Sequence, residues 1–185
     1  MTESAFNKFF WGFILIMLGF RIQGFDILPD IVGYLLFASA FRDLASSSDF
    51  FSIAAKYNIA MIVLSIFSIY QKPVQGGGVN FGALGILGIP IAIATFVLSL
   101  LVVYNLFMGI KDMAEKQGQL ELAKESEERW NKYKILQIAM IFSFLLIFIP
   151  GLGIAYLVVI FIAAIIVTIG IVGFIKRCGE SLRTL

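Results

Sequence analysis

From Ile135 to Ile175 the chain carries no charged residue, and residues 82–110 carry none either. A spanning helix needs about 20 apolar residues, so the first stretch is long enough for two. Within hydrocarbon every backbone polar group has to be satisfied inside its own segment or a closed barrel, and long apolar runs without strict alternation select helices. Composition agrees: the 185 residues are 60% hydrophobic and 14% charged, against roughly 45–50% and about 25% in soluble domains. The expected fold is an all-α polytopic transmembrane bundle in a single domain over 1–185.

Proline, glycine and charge breaks divide the apolar sequence into six segments, near 6–22, 29–45, 51–70, 82–110, 133–149 and 153–175. They read as three hairpins, about 6–45, 51–110 and 133–175. Lys and Arg test the count, because they collect in alternate short loops on the cytoplasmic side. With six spans and both termini inside, every Lys and Arg except Arg21 and Lys72 falls on one side. Five spans would put the long polar loop or the carboxy-terminal Lys176, Arg177 and Arg183 on the wrong side. The expected location is a bacterial plasma membrane. Lys8 with no small-residue cleavage pattern behind it reads as the start of an uncleaved first helix.

The segment 111–134, "KDMAEKQGQLELAKESEERWNKYK", is the one long polar stretch. Opposite charges four apart at Lys124/Glu128, Glu125/Arg129 and Glu128/Lys132 predict an exposed cytoplasmic helix there. A net charge of +2 and the lack of a basic stripe with interleaved aromatics argue against a nucleic-acid partner. Histidine is absent and Cys178 is the only cysteine, so no disulfide, Cys/His zinc site or His-based triad can form within one chain. No cofactor or metal is expected, and an enzyme is the least favoured class. Cys178 beside Lys176 and Arg177 is at most a thiol of lowered pKa or a palmitoylation site.

"RIQGFDILPD", residues 21–30, is the sharpest feature. Lys8 to Arg21 spans about 20 Å of helix and Asp30 to Arg42 about 18 Å, against a hydrocarbon core of roughly 30 Å. The outer turn of the first hairpin is therefore expected to sit low in the outer leaflet, with its charges turned into the bundle. Two readings stay open. In one, Pro29 and Asp30 start a helix, and Arg21 follows the end of the previous helix and pairs with Asp26. In the other, Arg21, Asp26, Asp30 and Tyr34 form an outward-facing polar site for a cation, proton or small zwitterion.

"QGGGVNFGALGILGIP" lacks the end of a phosphate loop. Its Gly82, Gly85, Gly88 and Ala92 read as a close-packing helix face, with Pro90 as a kink. Asn58, Thr95, Asn105, Gln137 and Tyr156 suit hydrogen bonds between helices. A weak internal repeat relates "YLLFASAFRDLA" (34–45) to "YNLFMGIKDMA" (104–114), each followed by a Lys-Tyr pair that opens the next helix.

"FDILPDIVGYLLF" (Phe25–Phe37) resembles a hairpin motif, Phe-Asp-x-Leu-Pro-Asp-x-x-Gly-Tyr, of small multi-spanning membrane proteins of Gram-positive bacteria; that resemblance implies no activity. In size, span count and termini the chain is also similar to the substrate-capturing subunits of energy-coupling-factor transporters. Where those carry an Ala-x-x-x-Ala docking surface, its first helix reads "FFWGFILIMLGF". The expected function is a non-enzymatic transport or solute-binding component, with lipid, a small-molecule ligand and a further membrane subunit or ATPase as partners. The alternative is an accessory, regulatory or bacteriocin-immunity protein that acts through protein contacts.

Overall fold

The computed structural model describes residues 2–17, 21–22, 25–26, 30–68, 88–146, 149 and 151–182. Six helices make up nearly all of it: α1 (Thr2–Met17), α2 (Asp30–Leu44), α3 (Asp49–Ser68), α4 (Gly88–Lys116), α5 (Leu120–Leu146) and α6 (Leu152–Ser181). Two short strands, β1 (Arg21–Ile22) and β2 (Phe25–Asp26), lie between α1 and α2. Three helices contain stretches long and apolar enough to cross a membrane, at Asp49–Ile66, Pro90–Lys116 and Leu152–Ser181.

Each helix packs on its neighbours in chain order, and α6 returns to α1, so the six close into a ring. Successive helices are antiparallel. Lys8 pairs with Asp43 and Gly12 faces Gly33 between α1 and α2; Phe41 meets Phe51 and Asn58 meets Tyr34 between α2 and α3. Between α5 and α6, Glu125 meets Arg177 and Ala139 meets Tyr156.

The core occupies one end of this ring. Buried apolar residues run over 5–13 in α1, 37–44 in α2, 51–61 in α3, 102–114 in α4, 123–136 in α5 and 171–178 in α6. Alternation of direction brings these stretches to the same end. Phenylalanine fills it: Phe6, Phe9, Phe37, Phe41, Phe51, Phe107 and Phe174 are fully buried, edge contacts link Phe6 to Phe9 and Phe9 to Phe37 and Phe41, and a tilted contact carries on from Phe41 to Phe51. Such rings prefer offset or edge geometry, which locks helices in register as well as burying area. Phe37 and Phe107, equivalent in the internal repeat, are both in this core. Towards the other end of α6, Ile154, Phe161, Ile166 and Ile169 are all exposed, as suits a lipid-facing surface.

The polar stretch 111–134 departs from the expected separate helix. Its first six residues finish α4, residues 117–119 turn, and the rest open α5. Gly118 causes the turn: at φ +71 it takes the left-handed conformation a side chain resists. The Gln119 amide donates to the Ala114 carbonyl (2.9 Å) and the Gly118 amide to the Glu115 carbonyl (3.0 Å), the Schellman pattern that ends helices at glycine. The two arms then lie together. The Ser126 hydroxyl donates to the Phe107 carbonyl at 2.7 Å, and Lys111 pairs with Glu127 at 2.7 Å. Of the three expected i,i+4 pairs, Glu125/Arg129 closes, at 2.7 Å. Glu125 also accepts from Arg177 of α6 at 2.6 Å, so one carboxylate ties α5 to α6.

Pro90 does not kink a helix interior. α4 starts at Gly88, so Pro90 stands in the first turn, where a missing N–H costs no intrahelical bond. Ala92 is exposed rather than packed, and Gly82, Gly85 and the Gly76–Gly78 run lie outside the described residues. Close approach falls elsewhere, between α1 and α2. A Cβ on Gly12 would come within 3.0 Å of the Gly33 carbonyl oxygen, and one on Gly33 within 2.9 Å of that of Gly12.

Candidate functional site

The residues singled out in the sequence fall into two pairs. Arg21 and Asp26 are Cα partners in the antiparallel β1–β2 ladder, with Ile22 opposite Phe25. Arg21 thus stands in strand β1, after α1, which runs to Met17. Asp30 and Tyr34 form the second pair, one turn apart at the start of α2, with Asp30 in its first turn as the helix dipole favours.

Tyr34 is where the site reaches into the ring. Its carbonyl accepts a 2.8 Å hydrogen bond from Nδ2 of Asn58 on α3. Its side chain packs edge-on against Phe37 at 6.3 Å, one turn below Asp30. Tyr133 is buried and engages the side chains of Ser99 on α4 and Gln137 one turn further along α5. Two polar groupings thus stand beyond the phenylalanine core: Tyr34 with Asn58 between α2 and α3, and Tyr133 with Ser99 and Gln137 between α4 and α5.

Asn58 is the unusual member. It is 0% exposed, and its Oδ1 has no hydrogen-bond partner among the described residues. Leaving a buried amide oxygen unsatisfied costs about 1–3 kcal/mol, which an apolar side chain at this position would avoid. A bound donor group would recover that energy. The chemistry on offer is hydrogen bonding: two phenols, two amides and a hydroxyl, with the carboxylate of Asp30 one turn above Tyr34. Among the described residues no group of three or more Cys, Asp or Glu could hold a metal ion.

Other in-span polar residues divide. Asn58 and Tyr156 bond between helices, Tyr156 donating to the Ala139 carbonyl at 2.9 Å. Thr95 and Asn105 donate within α4, to the carbonyls of Ile91 and Leu101, at 2.8 and 2.7 Å. Cys178 is fully buried in the core, out of reach of an acyl donor, so neither an activated thiol nor palmitoylation fits it. Sequence reasoning passed over Ser99 and Tyr133 as site residues. The Lys132-Tyr133 pair at the start of the apolar part of α5 was the available signal.

Comparison with protein-family models, curated proteins and solved structures finds no match for this chain. Class therefore rests on the molecule itself: a helical protein with, among the described residues, three helices long and apolar enough to cross a membrane.

Proposed function

We propose that the chain is a six-span protein of the bacterial plasma membrane, with both termini in the cytoplasm, that binds a small polar solute within the helix ring as a non-enzymatic transport or solute-binding component. α1, α2 and α5 supply the remaining spans. α1 and α2, at 16 and 15 residues, cross by thinning the bilayer and snorkelling Lys8 and Arg42. The placing of basic residues supports the orientation, which puts the packed phenylalanine end inside and the β1–β2 end outside.

The observation that carries this reading is the orphaned Oδ1 of fully buried Asn58, whose Nδ2 donates to the Tyr34 carbonyl one turn below Asp30. Uncompensated polar groups in a membrane protein's interior are costly and mark function. The solute carries at least one N–H or O–H donor for Asn58, and a cationic centre suits Asp30 and Asp26. A small zwitterion meets both demands, with Arg21 for its anionic end. Coupling to an ATPase or another membrane subunit would supply energy to such a component.

The test is thermal stability in nanodiscs against a panel of amino acids, small amines and inorganic cations, for the wild type, Asn58→Leu and Asp30→Asn. A ligand at 100 times its Kd stabilises by about 2.7 kcal/mol, a readily measured rise in melting temperature. The expected result is stabilisation of the wild type by a zwitterion or amine, and loss of that response in both variants while they remain folded. A response kept intact in both variants, or none from any panel member, would overturn the reading.

A further inference from the structure

Beside the contact of α1 with α6, at the end of the ring that holds the core, a half-open groove of about 580 Å³ lies between the two helices. The helices touch at Gly179, where a Cβ would come within 2.9 Å of Phe6 Cβ, so the groove has a fixed floor. Its walls are two ladders of residues four apart. On α1 they are Glu3, Asn7 and Trp11, and on α6 they are Glu180 and Lys176. Residues four apart stack one turn, about 5.4–6 Å, above one another on a helix face, and the helices are antiparallel.

Depth therefore sorts the groove's chemistry. Two carboxylates, Glu3 and Glu180, stand outermost. One turn nearer the apolar part of the bundle come the Lys176 ammonium and the Asn7 amide. One turn deeper again stands Trp11, half exposed and edge-on to Phe10 at 5.4 Å. Glu3, Glu180 and Lys176 have no ion-pair partner among the described residues, though Lys and Glu elsewhere on this end are paired, as at Lys8/Asp43 and Lys111/Glu127. Acid outermost, then cation and amide, then indole is the complement of one amphiphile read from its polar tip: ammonium, phosphate, glycerol ester.

We propose that this groove holds the head group of an aminophospholipid, with its phosphate on Lys176 and Asn7, its ammonium between Glu3 and Glu180, and its glycerol against Trp11. Charge complementarity selects the head group. A primary ammonium offers three donors to two carboxylates, whereas the uncharged glycerol of an anionic phospholipid leaves both carboxylates unneutralised. Trp11 sits where indoles anchor membrane proteins, at the boundary of head groups and acyl chains. The inference rests on α6 crossing the bilayer and not on the solute site around Asn58.

The experiment places the full-length protein in nanodiscs of equal phosphatidylethanolamine and phosphatidylglycerol, extracts it into mild detergent and quantifies the retained lipid by mass spectrometry. Wild type is expected to keep phosphatidylethanolamine about fivefold over phosphatidylglycerol, the scale of two solvent-exposed ion pairs. The double variant Glu3→Gln, Glu180→Gln should fall to parity, and Lys176→Gln should lose the retained lipid of either type. Lys56→Gln, an exposed lysine on α3, should behave as wild type. Parity or phosphatidylglycerol enrichment in the wild type, or unchanged selectivity in the double variant, overturns the proposal. Should a variant fail to fold, titrating each lipid into detergent-solubilised wild type and following its melting temperature decides the matter, because equal stabilisation by the two lipids refutes the site.

Discussion

Gly33→Ala is expected to destabilise the protein by about 1–3 kcal/mol, although alanine is the better helix former by about 1 kcal/mol. A Cβ at Gly33 would stand 2.6 Å from Ile16 Cγ1 and 2.9 Å from the Gly12 carbonyl oxygen. The first clash is with a flexible side chain, and Ile16 can turn aside. The second is with backbone. To reach an ordinary carbon–oxygen contact α1 would have to move by a few tenths of an ångström along its seam with α2. That seam carries the Phe9/Phe37, Phe9/Phe41 and Phe13/Phe37 contacts, so the displacement would loosen close-packed rings as well. Gly173→Ala is the matched control, since nothing lies within 4 Å of a Cβ there and only the helix-propensity gain remains. Thermal unfolding in nanodiscs should place Gly33→Ala below the wild type and Gly173→Ala level with it or above. A Gly33→Ala protein as stable as Gly173→Ala would refute the claim that α1 and α2 meet backbone to backbone.

Burial acts to raise the Glu125 carboxyl, but hydrogen bonds from Arg177 and Arg129 and their charges outweigh it and hold it below its ordinary 4.5. A depressed carboxyl contributes stability above its unfolded pKa and loses it as pH falls through the native value. Melting temperature should therefore drop on acidification below about pH 4.5 in the wild type, while Glu125→Gln should already be lower at pH 7, by about 1 kcal/mol, and change less with acid. Orientation can be read by thiol labelling, because the single native cysteine is buried. Gln119→Cys should react with an impermeant maleimide only in inverted vesicles and Lys72→Cys only in intact cells; the reverse pattern would reject the assignment of both termini to the cytoplasm.

Class and helix number were legible in the sequence because they depend on where apolar runs stop, and the start of α2 at Asp30 followed from the proline and acid there. The division of 111–134 between α4 and α5 was not read, although Gly118 marks it. Charge spacing made the stretch look like one helix, while the backbone obeyed the glycine. Gly12 and Gly33 were visible as glycines in apolar runs, but that they face each other depends on how the two helices cross. The unsatisfied oxygen of Asn58 is less legible still, because satisfaction is a property of three-dimensional neighbours. Glu3, Asn7 and Trp11 show their four-residue spacing in the sequence. Their counterpart on α6 comes beside them only because the last helix closes the ring on the first.

α4 and α5 pass from the apolar to the polar part of the molecule without a break, α4 over 29 residues, or about 43 Å. Uninterrupted helices of that length act as struts. Ser126 and Phe107 rivet the pair together, and Lys111 with Glu127 adds a second fastening nearer the tip. A tilt imposed at the far end therefore reappears, undamped by any hinge, as displacement of the turn at residues 117–119. That turn is the pointer of a lever whose long arm is the apolar part of α4.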